Sequence, residues 1–308
     1  MGTPEFAVPC LKMLVDKNYN VCAVVTKPDT KRGRGNKVSY CEVKEFAKGC
    51  NLLVLQPDKV KNNNEFLEKM RNINPDLIIT CAYGKILPKE ILDIPQYGCI
   101  NVHASLLPKY RGASPINKAI IEGEKISGVT TMYTDIGMDT GDILLKQSVE
   151  ITDDMTASEL HDILADLGAK VLEKTLIKLQ QHKLVRIPQD SDKASYAGMM
   201  DKDTGKIDWN CQSLKIHNLV RGTNAWPVAF TYYKDCKMKI WKTKLIDGKT
   251  DKKPGTIIKV SKQGIDVATK DGIIRILEVQ APSKKRMNVC DYILGNKVEE
   301  GEMLWQGN

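Results

Sequence analysis

The sequence predicts an α/β fold for residues 1–182 and a small, short-stranded β-barrel for residues 203–308, joined by a linker over 183–202. Two observations carry this. Between residues 21 and 180, short apolar runs alternate with amphipathic segments, the pattern of a parallel sheet wound with helices. Beyond residue 229 the runs become shorter and glycine turns punctuate them, as in a small barrel.

The strands of the first part are expected at 21–26, 52–55, 77–81 and 99–103, with helices at 42–48, 65–72 and 115–122. Two more strands are expected near 128–134 and 143–149. A long helix over 156–181 closes this part, because Leu160, Ile163, Leu164, Leu167, Val171, Leu172, Leu176 and Ile177 recur at helical spacing. The polar stretch that follows, with Pro188, Gln189, Asp190 and Ser191, reads as the linker. A short helix is expected over 211–221, then strands at 229–233, 238–245, 255–260, 265–269 and 272–279.

The composition is that of a globular chain, with 42% hydrophobic and 27% charged residues among 308. No apolar run reaches membrane-spanning length and the N-terminus carries no secretory pattern, so a cytoplasmic protein is expected. The nine cysteines are scattered and never form Cys-x-x-Cys, which predicts reduced thiols and no zinc site. The charge is uneven. From Asp203 onward 19 Lys and Arg face 12 Asp and Glu, whereas 27 face 26 in the rest. A basic excess confined to one part points to an anionic partner such as nucleic acid, with Lys237, Lys239, Lys242, Lys244, Lys284, Lys285 and Arg286 as candidates.

The chemistry gathers between residues 101 and 142. Asn101 and His103 are two apart, so on an extended strand both side chains leave one face while Val102 packs behind them. The run 99–103 reads as the carboxyl end of a buried strand, where open α/β sheets bind ligands. Asp139, in Met138-Asp139-Thr140-Gly141-Asp142, arrives from the loop between the next two strands. Of the four histidines, His161, His182 and His217 fall in or beside helical segments. His103 alone follows a strand pattern and precedes a glycine- and proline-bearing loop. An amide, an imidazole and a carboxylate suit acyl transfer to an amine. Asn101 can donate to a developing oxyanion, His103 can reinforce it, and Asp139 can orient the ring or accept the amine proton. No metal is expected. A second basic feature, Lys31-Arg32-Gly33-Arg34-Gly35-Asn36-Lys37, lacks the third glycine of a dinucleotide fingerprint and reads as a phosphate-contacting or simply flexible loop.

Several segments together resemble the methionyl-tRNA formyltransferase family, over essentially the whole chain. They are Gly2-Thr3-Pro4-Glu5-Phe6-Ala7, Lys27-Pro28-Asp29 through Lys37, Ala82-Tyr83-Gly84-Lys85-Ile86-Leu87-Pro88, residues 98–112, Asp139-Thr140-Gly141-Asp142, Ile207-Asp208-Trp209 and Asn224-Ala225-Trp226-Pro227. Asn-x-His with the downstream Asp marks the wider folate-dependent formyltransferases. The resemblance implies a Rossmann-like catalytic domain, a C-terminal OB-like barrel that binds tRNA, and 10-formyltetrahydrofolate as donor. It implies that Ser105, Leu106, Leu107 and Pro108 line the folate site with Tyr83, Gly84, Ile86 and Leu87. It also implies that the loop of Lys31, Arg32, Arg34 and Lys37 meets the acceptor end of initiator methionyl-tRNA. A monomer is expected.

Members of the family begin with an apolar strand just before Gly-Thr-Pro, whereas Met1 here adjoins Gly2. The expectation is a native start upstream, and strands 21–26 and 77–81 without their shared neighbour. Three other readings stay open: a formyltransferase acting on a sugar-nucleotide or purine-precursor amine, a hydrolase that releases formate from the same donor with water in place of the amine, and a non-catalytic RNA-binding protein.

Overall fold

The computed structural model describes residues 1–32 and 37–305. In chain order the elements are α1 (Val8–Asp16), β1 (Val24–Val25), β2 (Thr30–Arg32), β3 (Lys37–Ser39), α2 (Glu42–Gly49), β4 (Val54–Leu55), α3 (Asn64–Ile73), β5 (Ile78–Cys81), α4 (Lys89–Leu92), β6 (Cys99–His103), β7 (Arg111–Gly112), α5 (Pro115–Ile121), β8 (Ile126–Tyr133), β9 (Ile143–Glu150), α6 (Ala157–Gln180) and β10 (Tyr196–Ala197). They continue with α7 (Ser213–Gly222), β11 (Ala229–Tyr233), β12 (Cys236–Ile246), β13 (Ile257–Ser261), β14 (Gly264–Ala268), β15 (Ile273–Gln280), β16 (Met287–Asn288) and α8 (Val289–Gly295). Two compact units result: Met1–Pro115, Ile126–Glu150 and His161–Gly198 form one; Ile116–Lys125, Ile151–Leu160 and Met199–Asn308 form the other.

The first unit is built on the four-stranded sheet β5-β6-β8-β9. β5 and β6 are parallel, whereas β8 and β9 run antiparallel to their neighbours. The parallel sheet suggested by the alternation thus gains antiparallel strands: β8 returns as β9 through the loop 134–142, too short for a crossover helix, and β6 meets β8 antiparallel across the longer connection 104–125 that contains α5. β1 pairs with β4 as a separate parallel ribbon. Met1 and Gly2 join the ribbon to the sheet: the Gly2 N–H donates to Val25 O at 3.0 Å, and Cys81 N–H donates to Met1 O at 3.0 Å. Alongside them lies a cavity of about 540 Å³, lined by Leu11, Val24, Leu77, Ile79, Leu176 and Leu179 among others. Strands 21–26 and 77–81 are therefore not laddered to each other over this stretch, and β1 shrinks to two residues.

Local chemistry sets the helix ends. The Asn63 side chain accepts the Phe66 N–H at 3.0 Å to cap α3, and Asn74 ends it in the left-handed region at φ 46°. Thr156 and Glu159 form a capping box ahead of α6: the Thr156 N–H donates to Glu159 Oε2 at 2.8 Å and the Glu159 N–H to Thr156 Oγ1 at 3.3 Å. Leu160, Leu164 and Leu172 are wholly buried, each stabilising by about 2 kcal/mol. Ile163 and Ile177 of the same expected stripe stay exposed. α1 was not anticipated; its Cys10, Leu11 and Met13 are buried. The stretch expected as a linker begins inside the first unit. The Ile187 N–H donates to Ile143 O at 2.9 Å, and β10 pairs with β7.

In the second unit the strand order is β11-β12-β15-β14-β13, with β16 on β15. Lys234 and Asp235, at φ 47° and 61°, turn β11 into β12 as a two-residue hairpin. Ile240, Val267, Ile274, Ile276 and Val279 are wholly buried inside it. No ladder joins β11 to β13 among the described residues, but isolated bridges Tyr232↔Trp305 and Thr256↔Met303 carry the ring from one edge to the other. Among the described residues no helix is long and apolar enough to cross a membrane. All nine cysteines are free: Cys10, Cys81 and Cys99 are buried, and Cys22 and Cys236 are exposed.

Candidate active site

β6 delivers Asn101 and His103 from one face at its carboxyl end, with Val102 buried behind. Burial accounts for the strand's order: Cys99, Ile100 and Val102 are all at most 2% exposed. Asp139 reaches the same place from the loop between β8 and β9. That loop is shaped by Asp135, whose Oδ1 accepts the Gly137 N–H at 2.9 Å and the Thr140 hydroxyl at 2.6 Å. Asp139 itself sits in the left-handed region at φ 54°. Gly141 is required because a Cβ there would lie 1.9 Å from Tyr133 O.

The three residues converge. The Asp139 carboxylate accepts the Gly112 N–H at 2.8 Å on Oδ2 and faces His103 Nδ1 at 3.6 Å. Its Oδ1 accepts from Asn101 Nδ2 over a long 3.4 Å. His103 Nε2 lies 2.9 Å from Tyr110 O. A carbonyl can only accept, so Nε2 carries a proton and Nδ1 is left as the nitrogen that faces the carboxylate. The ring is 6% exposed and the Asp139 side chain 16%, so these contacts act with little screening by water. Thr80, opposite Asn101 in the β5–β6 register, donates its hydroxyl to Asn101 Oδ1 at 2.8 Å.

The segment after β6 wraps tightly. The Ser105 hydroxyl donates to Lys109 O at 2.6 Å, and the Thr130 hydroxyl donates to Ser105 O at 2.6 Å while accepting the Leu107 N–H at 3.1 Å. Lys146 Nζ donates to Leu107 O at 2.5 Å, and burial lowers that amine's pKa. Leu107 is in the core with Met132 and Ile143, so of the four residues expected at the folate site, Leu106 and Pro108 keep partly accessible surface while Ser105 and Leu107 are buried. The 83–88 segment divides similarly. Tyr83 and Leu87 are 3% exposed and belong to a core with Phe66, Ile78 and Ile91, whereas Gly84 and Ile86 are exposed. Among the described residues the buried Tyr83 hydroxyl has no hydrogen-bond partner, and burial pushes its pKa up to about 12.

The basic loop is described only at its base. β2 and β3 form an antiparallel hairpin that contains Lys31, Arg32 and Lys37, and Arg34 lies outside the described residues. Its root is tied down by a partly buried network. Lys44 Nζ donates to Asp29 at 2.5 Å and to Gln56 Oε1 at 2.6 Å, while Gln56 Nε2 reaches Asp29 at 2.9 Å. The Lys44 hydrogen bond holds the Asp29 carboxyl below the usual carboxylate range. In the second unit Lys237, Lys242, Lys244, Lys284 and Lys285 are exposed, and Lys239 is half-buried. Lys237 stacks 3.4 Å over the Phe230 ring, and Arg286 pairs with Glu278 and lies 4.8 Å over the Trp241 ring.

Some supporting groups were missed from the sequence. Gln189 Nε2 holds the Asp139 loop by donating to Asp139 O at 2.9 Å and Gly141 O at 2.8 Å, and its Oε1 accepts from Arg111 at 2.8 Å. No local pattern marks a glutamine fifty positions downstream. Thr80 carried a faint signal, a lone hydroxyl in an apolar run.

The model of the formyl transferase family matches residues 1–176, and that of the formyl transferase C-terminal domain matches residues 199–297. The methionyl-tRNA formyltransferase of Acetivibrio thermocellus is 60% identical over 99% of this chain and 98% of its own length. That of Ruminiclostridium cellulolyticum is 56% identical over the same shares. Among solved structures, the sugar 3N-formyl transferase WlaRD, crystallised in the presence of dTDP and 5-N-formyl-THF, superposes with a TM-score of 0.67 at 21% identity, over 92% of this chain and 97% of its own. A Helicobacter canadensis N-formyltransferase superposes with a TM-score of 0.68 at 20% identity, over 91% and 97%. The chain belongs to the formyl transferase family, and within it to the methionyl-tRNA formyltransferases.

Proposed function

We propose that this chain transfers the formyl group of 10-formyltetrahydrofolate to the α-amino group of methionyl initiator tRNA. The observation that carries the chemistry is the convergence of Asn101, His103 and Asp139 at the end of β6. The amine nitrogen attacks the formyl carbon, and the carbonyl oxygen gains negative charge. Asn101 Nδ2, which has a second proton besides the one directed to Asp139, donates to that oxygen. The new C–N bond forms as the bond to the donor nitrogen breaks. The proton leaving the amine passes to the Asp139–His103 pair, and the tetrahydrofolate nitrogen takes up a proton. The α-amino group of an aminoacyl ester is largely neutral near pH 7, so no strong base is required.

Leu106, Pro108, Gly84 and Ile86 are the expected folate-site residues with surface to offer, while Ser105, Leu107, Tyr83 and Leu87 shape the walls from behind. The basic segment with Lys31, Arg32, Arg34 and Lys37 in its sequence, together with the basic second unit, supplies phosphate contacts to the tRNA. We take the chain to act as a cytoplasmic monomer, its first unit catalytic and its second tRNA-binding.

The test is formyl transfer to methionyl-tRNA beside a His103→Ala variant and an uncharged-tRNA control. Transfer that needs both His103 and the aminoacyl end supports the reading. Efficient formylation of a sugar-nucleotide amine, with none of methionyl-tRNA, would overturn it.

A further inference from the structure

Thr80 stands behind the reaction centre on the strand next to Asn101, 6% exposed, with a hydroxyl that donates to Asn101 Oδ1 at 2.8 Å. The side-chain amide of Asn101 has two nearly isosteric ends, and only hydrogen bonds decide which end faces the cleft. Two contacts bear on that choice. The contact to Asp139 Oδ1 is 3.4 Å long and therefore weak, and the contact to Thr80 is 2.8 Å.

Turning the amide over would leave Oδ1 against the Asp139 carboxylate, acceptor facing acceptor. It would also oblige the Thr80 hydroxyl to accept from Nδ2, leaving its own proton without the acceptor it has in Asn101. With the amide as it stands, Oδ1 is satisfied from behind and one Nδ2 proton stays free for the substrate. Donation into Oδ1 also withdraws charge from the amide nitrogen and strengthens the bond that nitrogen donates.

We propose that Thr80 is a positioning residue for formyl transfer, its hydroxyl fixing and polarising the Asn101 amide that receives the oxyanion. This rests on the oxyanion role given above to Asn101. Thr80→Val keeps the β-branched shape and removes only the hydroxyl. It is expected to lower kcat about tenfold, the loss of one buried hydrogen bond felt in the transition state, with KM for both substrates within about twofold. Thr80→Ser restores the hydroxyl and should return kcat to within about threefold of the parent.

The deciding measurement is single-turnover formyl transfer by the parent, Thr80→Val, Asn101→Ala and the double variant. Asn101→Ala is expected to slow the step about a hundredfold. The double variant should then be no slower than Asn101→Ala, because Thr80 acts through the amide that is gone. An unchanged rate in Thr80→Val, or the same tenfold loss in the Asn101→Ala background, overturns the proposal. An unchanged rate in Asn101→Ala would instead remove the oxyanion role on which the proposal stands.

Discussion

The carboxylate of Asp139 faces Nδ1 of His103 at 3.6 Å while the backbone N–H of Gly112 holds the same oxygen at 2.8 Å. One oxygen thus reads the imidazole and is fixed by the main chain. Asp139→Asn keeps the shape but removes the charge that faces the ring and the site that accepts the proton. We expect kcat to fall on the order of a hundredfold or more, with melting temperature nearly unchanged, by comparing rapid-quench transfer with thermal melts.

Gly141 tests the loop rather than the chemistry. A methyl group there would lie 1.9 Å from Tyr133 O, so the loop must move and carry Asp139 with it. Gly141→Ala is expected to lose about a hundredfold in kcat or more, since displacement by an ångström is enough for that. Parent-like turnover would show that the loop tolerates the shift.

Asp266 and Arg275 sit opposite each other on β14 and β15, joined by two hydrogen bonds of 2.6 and 2.9 Å, with side chains 10% and 19% exposed. Arg275→Ala strands a carboxylate in little water and should cost about 3 kcal/mol in a urea melt of the second unit's transition. Replacing both residues with Val should cost much less. Equal losses would mean that the pair itself, and not the stranded charge, supplies the stability.

His217 is 4% exposed, with Nδ1 3.0 Å from Thr243 Oγ1 and Nε2 3.2 Å from Asp153 O; Asp154 and Arg221 also bear on it. Burial lowers its pKa below the ordinary 6.5, so folding favours the neutral ring. The stabilisation is then complete above about pH 6.5 and lost as the pH falls below it, because the unfolded chain binds a proton that the folded one resists. Stability between pH 7 and 5 should decline more steeply in the parent than in His217→Gln, measured by urea unfolding at each pH.

Asn101 and His103 were legible because strand periodicity alone puts alternate residues on one face, and the polar pair interrupts an apolar run. Asp139 was legible through its turn-forming neighbours. The buffers around them were not. Gln189 is distant in sequence and polar in a polar stretch, so nothing local separates a clamp from a linker. For Leu87 and Leu107 the resemblance implies a place in the folate-site lining, but their burial was not legible, because an apolar residue beside a site has the same letters as one in the core. The antiparallel return of β9 on β8 follows from the short gap between the runs 128–134 and 143–149, whereas the antiparallel pairing of β8 on β6 was not legible, because the connection 104–125 is long enough for either direction. α1 escaped notice because it is short, opens with Val8 and Pro9, and follows a turn motif that draws attention to itself.

The sorting of the cysteines has a practical side. Burial pushes Cys99 up to about 12, and the side-chain hydrogen bond with Cys10, aided by burial, raises Cys81 well above its ordinary value, so neither yields a thiolate near neutrality. Cys22 and Cys236 are open to solvent, and they fall one in each compact unit. With Cys41, Cys50, Cys211 and Cys290 replaced by Ser or Ala, maleimide dyes would attach at two native positions. Energy transfer between them would then follow the two units in solution as methionyl-tRNA arrives.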